Sequence, residues 1–253
     1  MNAFIISIIS VVSIFAGALV GMALQRRLPQ HHLNNEIQDL VKLSAGTIAT
    51  LTALVLGLLV SSAKSSYDAV NTGIVQGGAK FIQLDRTLAR YGPDAKDVRE
   101  QLKLSLASAI QRVWPKEKTG VNALDAIEHG NGMDVVQDKL AELTPRNQVQ
   151  TQALAQAQQI VNDVSQTRWL LVEEAHTQLP VPLLVILIFW IFLLFISFGM
   201  FAPRNVMALI VLFVAACSLS AAIFLVLELN QPLGGLMKVS DVPLRSAMEQ
   251  MGQ

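Results

Sequence analysis

The sequence predicts an all-α integral membrane protein: four transmembrane helices, with a helical-bundle domain inserted between helices 2 and 3. Three observations carry that prediction. Of 253 residues, 52% are hydrophobic and only 15% charged, whereas an average soluble domain has about a quarter of its residues charged. Four apolar runs are long enough to cross a hydrocarbon core, which takes roughly 20 residues. The charges gather between the second and third runs, with 13 basic and 14 acidic residues from Lys64 to Glu174. That middle segment reads as a nearly neutral, water-exposed domain. Without a basic excess, nucleic-acid binding has no electrostatic support. The single cysteine, Cys217, lies in an apolar run and cannot form an intramolecular disulfide.

The first run, Ala3 to Leu24, competes with a reading as a cleaved signal peptide, for which "AGA" at Ala16 to Ala18 would be the cleavage site. It lacks a basic leading segment, its apolar stretch is too long, and Arg26-Arg27 follow directly, so an uncleaved span is expected. The second run is roughly Leu43 to Val60, the third Val181 to Phe201 and the fourth Val206 to Leu227. The chain thus divides into residues 1–63 with the first two spans, 64–179 as the bundle, 180–228 with the other two spans, and 229–253 as an amphipathic tail. Arg26, Arg27 and Lys42 lie between the first two spans, and Arg204 in the "APRN" turn between the last two. The positive-inside rule places those connections in the cytoplasm. Both termini and the middle domain are then periplasmic, in a bacterial inner membrane. Lys64, Lys238 and Arg245 partly oppose that bias.

The middle domain reads as helix almost throughout. Val70, Ile74, Phe81, Leu84 and Leu88 recur at three- and four-residue spacing, a helical seam. Gly77 and Gly78 fall within it and permit a close approach or a bend. "YGPD" at Tyr91 to Asp94 stops this helix, since Gly supplies a cap and Pro prevents continuation. The next helix runs to Trp114, where Pro115 ends it. "EHGNG" at Glu128 to Gly132 is a loop between two shorter helices. After Pro145 a Gln- and Ala-rich helix runs to Gln178, with Val149, Ala153, Ala157, Ile160, Val164 and Leu171 on its apolar face. Lys64 and Gln178 abut the spans, so the bundle is expected to continue two membrane helices outward.

No catalytic cluster stands out. The adjacent pair His31-His32 would point about 100° apart on a helix, so it reads as juxtamembrane surface. His129 sits in the Gly-rich turn. His176 lies beside Glu173 and Glu174, a trio that could hold a cation but reads more simply as solvated helix charge. There is no Gly-rich phosphate loop and no HExxH. The expectation is a protein that is not an enzyme and needs no cofactor or metal.

The second span, "SAGTIATLTALVLGLLVSSAK" from Ser44 to Lys64, is unusual for its Gly, Ser and Thr content. At 100° per residue, Gly46, Thr50, Ala53, Gly57, Ser61 and Lys64 fall on one face, and Ile48, Leu51, Val55, Leu58 and Leu59 on the opposite side. Such a stripe either lets helices pack closely in lipid or, repeated around a symmetry axis, lines a water-filled path. The first span has its own small stripe, Ser10, Ser13, Gly17 and Gly21, and the fourth has Ala208, Ala215, Ser218 and Ala222. The third carries Phe189, Trp190, Phe192, Phe195 and Phe198, which suits a lipid-facing position. Three small-faced helices exceed the obvious packing needs of one chain, so a homo-oligomer is expected. Lys64 and Asp68 follow the stripe out of the membrane and would form charged rings at the mouth of a pore, or else an ordinary surface pair one turn apart.

The tail "LELNQPLGGLMKVSDVPLRSAMEQ" resembles the closing motif of the bestrophin-like family of bacterial and plant membrane proteins. The matching residues are Glu228, Pro232, Gly234, Lys238, Val239, Ser240, Pro243 and Leu244. "RRLP" after the first span, "NNE" at Asn34 to Glu36 and "VWP" at Val113 to Pro115 are similar to that family too. The resemblance implies a bestrophin-like fold with four spans. By analogy it also implies a symmetric ring, a pentamer, whose second helix lines a central ion pore, and a middle domain in the cytoplasm, against the placement that the loop charges favour. The acidic clasp by which animal bestrophins sense calcium is missing from the tail, which offers only Asp241 and Glu249. The aromatic and isoleucine constriction of their neck is missing from the second span, so calcium gating and anion preference do not carry over. By residue type alone, Gln231-Pro232 ends the fourth helix, "LGG" turns the chain, and Leu236, Val239, Val242 and Leu244 are free to bury. Glu228, the acid nearest the membrane, is a functional candidate or a structural hydrogen-bonding group. The expected function is an oligomeric ion channel embedded in the bilayer. The alternative is a non-conducting scaffold or sensor whose helical domain binds another protein.

Overall fold

A computed structural model describes residues 3–27, 35–115, 123–128, 130–176, 181–203 and 205–251, and among them regular structure is helical throughout. Among the described residues, four helices are long and apolar enough to cross a membrane. They are α1 (Ala3–Arg27), α2 (Asn35–Tyr91), α7 (Val181–Phe201) and α8 (Val206–Leu229). Helix α2 has 57 residues, more than twice the roughly 20 that a span needs. Between α2 and α7 come α3 (Lys96–Val113), α4 (Ala123–Glu128), α5 (Gly132–Ala141) and α6 (Gln148–His176), and α9 (Val242–Gln250) closes the chain. The chain forms two compact units, Met1–Ser65 with Gln178–Asn230 and Ser66–Thr177 with Gln231–Gln253.

In the membrane unit, α1 packs mainly against α7 and also against α8. The α1–α7 contact is a backbone approach that glycine alone permits. A Cβ at Gly21 would lie 2.1 Å from the Ile196 carbonyl oxygen, and one at Gly199 2.1 Å from that of Ala18. With water absent, close van der Waals packing of this kind drives helix association in lipid. The α1–α8 seam is tied by hydroxyls: Ser220 Oγ donates to the Ser7 carbonyl at 2.6 Å, and the two Oγ atoms lie 3.1 Å apart. Phe15 meets Phe213 edge-on with ring centroids 5.4 Å apart, a favoured aromatic geometry. At the start of α8, the Asn205 side chain accepts from the Ala208 N–H at 2.7 Å, capping the helix.

This packing corrects two expectations. The third span does not simply face lipid, because α7 buries Leu187, Ile191, Leu194, Phe195 and Gly199, while Phe189 and Phe198 stay exposed. Glycines on α1 form a notch, and a bulky helix with one glycine of its own fits it well. The small stripe of α1 is therefore consumed inside the chain, with Ser10, Gly17 and Gly21 buried, and it is no argument for assembly. Helix α8 buries Leu212, Ala216, Ser220, Ile223 and Val226. Its expected small face stays half-buried at Ala208, Ala215 and Ala222 and exposed at Ser218.

In the helical unit, the seam of α2 is fully used, since Val70, Ile74, Phe81, Leu84 and Leu88 are all buried. Leu84 and Leu88 join Leu102 and Leu106 of α3, Val136 and Leu140 of α5, Ala157 and Ile160 of α6 and Ala247 of α9 in one core. Each fully buried leucine contributes about 1.5–3 kcal/mol. Helix α2 stops where Gly92 adopts φ 116°, a conformation open to glycine and strained for other residues, and Pro93 then starts a 3₁₀ turn. Helix α6 begins with reciprocal capping. The Asn147 side chain accepts from the Gln150 N–H at 2.8 Å, and Gln150 Oε1 accepts from the Arg146 N–H at 2.7 Å. Gln150 Nε2 also donates to the Tyr91 carbonyl at 3.2 Å, satisfying an acceptor at the end of α2 that the helix itself leaves open.

Three positions depart from the expected apolar faces. Val149 is 65% exposed, because the first turn of α6 precedes the core. In the tail, Leu236 and Val242 are exposed and only Val239 is fully buried, with Leu244 half-buried. The tail runs as turns rather than as one amphipathic face until α9 begins. Asp85, 3% exposed, receives a two-pronged hydrogen bond from Arg99, with Nε at 2.8 Å and Nη2 at 2.9 Å. That bond holds the guanidinium above its ordinary basicity, against burial, which lowers it, and with a further Coulombic contribution from Asp85.

Candidate functional site

The stripe of α2 is open. Gly46, Thr50, Ala53, Gly57, Ser61 and Lys64 are all exposed in the single chain. A Cβ at Gly46 or Gly57 would meet nothing within 4 Å, in contrast to Gly17, Gly21 and Gly199. No contact within the chain requires glycine at either stripe position. The face of α2 that the chain does cover carries Ala45, Thr52, Leu59 and Ala63. At 100° per residue, the centres of the covered face and the small stripe lie about 130° apart. The stripe therefore points away from the covered face of its own helix.

Local hydrogen bonding explains how hydroxyls survive there. Thr50 Oγ1 donates to the Gly46 carbonyl at 3.0 Å, and Thr47 Oγ1 to that of Leu43 at 3.1 Å. Each threonine satisfies its own proton on the preceding turn and presents oxygen lone pairs outward. Thr52 does the same on the covered side, bonding the Ile48 carbonyl at 2.7 Å. Asp68 is exposed on the part of α2 that belongs to the helical unit.

The open face is wider than the pattern of small residues indicates. Leu40, Leu43, Leu51, Leu54 and Leu58 are also exposed, Leu54 at 62% and Leu58 at 63%. Of the five residues placed opposite the stripe, only Leu59 is buried, while Ile48 and Val55 are half-buried. An apolar flank thus lies beside the small stripe. A helical wheel sorts residues by size and misses this distinction, because buried and exposed leucines look alike in sequence.

The tail residues build a fold instead of joining the stripe. Glu228 and Pro232 are buried, and the Pro232 carbonyl accepts from the Val239 N–H at 2.9 Å. The Gly234 N–H closes a turn on the Gln231 carbonyl at 3.0 Å. Lys238 and Ser240 are exposed, and Ser240 Oγ accepts from the Val242 N–H at 3.3 Å. Val239 packs with Val70, Ile74, Val113 and Leu233, and its carbonyl accepts from the Trp114 indole N–H at 2.9 Å. A Cβ at Gly78 would lie 2.9 Å from the Pro243 carbonyl oxygen, so that glycine serves the close approach of the tail. Gly77, its neighbour, has open space instead. His31, His32, His129 and Arg204 lie outside the described residues, as do Leu28 and Pro29 of "RRLP" and Asn34 of "NNE". Among the described residues no group of three or more His, Cys, Asp or Glu could hold a metal ion.

A family described as "Bestrophin-like domain" matches residues 12–244. Two crystal structures of single-substitution variants of a bacterial bestrophin homolog from Klebsiella pneumoniae share the fold. One is 13% identical with a TM-score of 0.68, covering 97% of this chain and 99% of that one. The other is 12% identical with a TM-score of 0.69, covering 98% and 99%. No curated protein matches the chain.

Proposed function

This chain belongs to the bestrophin-like family, and on that premise we propose that copies of it form a closed ring, a pentamer, that passively conducts small ions. The path is lined by Gly46, Thr50, Ala53, Gly57, Ser61 and Lys64, with Asp68 at its mouth. The observation that carries this reading is the open space above Gly46 and Gly57, on the side of α2 away from the covered face. Lipid gains nothing from glycine and hydroxyls, so the stripe calls for water or another copy. The exposed leucines Leu51, Leu54 and Leu58 flank it and supply the apolar surface that would seal one copy against the next. Nothing in this scheme requires catalysis or a cofactor. The ring sits in the bacterial inner membrane, and the loop charges favour a periplasmic helical domain.

The alternative is a non-conducting scaffold, in which the same stripe packs copies so closely that no path remains. Ion current through reconstituted protein separates the two, with Gly57→Leu as the control that obstructs a path. Current in the wild type that is lost in this variant supports conduction. A stable oligomer silent under every condition supports the scaffold.

A further inference from the structure

The helical unit holds a half-open apolar pocket of about 140 Å³, bounded by α2, α3 and α6, by Ile127 of α4, Gly132 and Met133 of α5 and Leu244 of α9, and by the turns at Gly130 and Leu233. Its body is apolar, with Ile74, Phe81, Val113, Trp114 and Leu171 among the walls. Gly77 contributes open space, since a Cβ there would touch nothing within 4 Å. Two arginines, Arg112 and Arg168, share the lining, and no described lining residue is acidic. Arg168 Nη1 donates to the Gly130 carbonyl. Its Nε is buried without a hydrogen-bond partner among the described residues. Arg112 reaches back to Ser108, with Nε to the carbonyl and Nη2 to Oγ, both at 3.2 Å.

We propose that this cavity is a binding site for a small apolar monocarboxylate, an aromatic ring or short alkyl chain carrying one anionic end. Three features select that class. The volume is close to that of a dry apolar cavity of about 150 Å³ that admits benzene, so the ligand body has about six to eight heavy atoms. A buried guanidinium N–H left unbonded is costly, and an anionic oxygen is the acceptor that would satisfy it most strongly. The lining carries two half-buried arginines, one of them also lying over the Trp169 ring, and no described acid, so its charge favours a ligand with an anionic end. The site lies wholly within the helical unit, so it stands whether or not the membrane helices conduct.

The probe is 4-fluorobenzoate, observed by fluorine NMR with the full-length protein in lipid nanodiscs, and empty nanodiscs as reference. The wild type should show saturable binding that benzoate displaces. Gly77→Leu fills the cavity and restores a good helix former, so it should melt no lower than the wild type while affinity falls about tenfold or more. Ala109→Leu, a second wall position, should act in the same direction. Arg168→Gln should weaken fluorobenzoate about tenfold and leave neutral fluorobenzene unaffected. Absence of saturable binding overturns the proposal. So does equal binding by folded Gly77→Leu and Ala109→Leu, or fluorobenzene binding the wild type as tightly as fluorobenzoate.

Discussion

The indole N–H of Trp114 donates to the main-chain carbonyl of Val239 at 2.9 Å. It joins the end of α3 to the turn before α9, 125 residues further along the chain. Both residues sit in motifs the sequence marks out, "VWP" and the tail. Trp114→Phe keeps most of the ring and deletes the donor, leaving a part-buried carbonyl unpaired, which costs about 1–3 kcal/mol. The expected outcome is a lower midpoint of thermal unfolding followed by circular dichroism in detergent, together with faster proteolysis of the tail. An unchanged midpoint and an unchanged tail would show that Val239 is held by packing alone.

The glycines of the membrane unit divide into two kinds. A Cβ at Gly21 or Gly199 would lie 2.1 Å from a backbone oxygen, whereas one at Gly46 or Gly57 would face open space. Gly21→Val should therefore split α1 from α7 and collapse the yield of folded protein, as judged by size-exclusion chromatography. Gly57→Ala should fold as well as the wild type, with a gain in helix propensity of up to about 1 kcal/mol. Comparable losses in both variants would contradict the assignment.

The Asp85–Arg99 pair anchors α2 to α3. Arg99→Ala takes the two-pronged donor from the buried Asp85 carboxylate and should destabilise the chain by about 3 kcal/mol, whereas the double change Asp85→Leu, Arg99→Leu should cost less. Arg99 is more basic folded than unfolded, chiefly through its hydrogen bond to Asp85. A raised pKa contributes stability below the unfolded value and loses it as pH rises through the folded value. That contribution is therefore constant across the neutral range and disappears only in strong alkali. Urea titrations at several pH values check both statements.

Bulk on the two sides of α2 should have different effects. Thr50→Leu and Gly57→Leu project into the open stripe, while Val55 lies half-buried on the other side. Current should be abolished by the first two changes and preserved in Val55→Leu, with oligomer size unchanged in all three. Equal effects at all three positions would remove the stripe from the path.

Periodicity made the helices and their ends legible, because apolar spacing, Gly92, Pro115 and Pro145 act within a few residues of themselves. The seam from Val70 to Leu88 follows directly from its spacing. The role of the third span did not, since a run of Phe and Leu fits lipid and a glycine notch equally well, and only the approach of Gly199 to Ala18 separates the two. The same holds for the small stripes. On α1 the stripe is covered by α7, and on α2 it is open, yet the two look alike as residue types. The cavity around Gly77 was hidden for a different reason, because its walls come from segments distant in sequence. Arg112 and Arg168 carry no local signal that they share it.

If the open stripe of α2 lines an ion path, planar bilayers containing the purified oligomer in asymmetric salt should carry discrete unitary currents with a defined reversal potential, absent in Gly57→Leu protein of the same oligomeric size. A stable wild-type oligomer that stays silent across pH, voltage and divalent ions would contradict it, and so would unitary currents unchanged by Gly57→Leu.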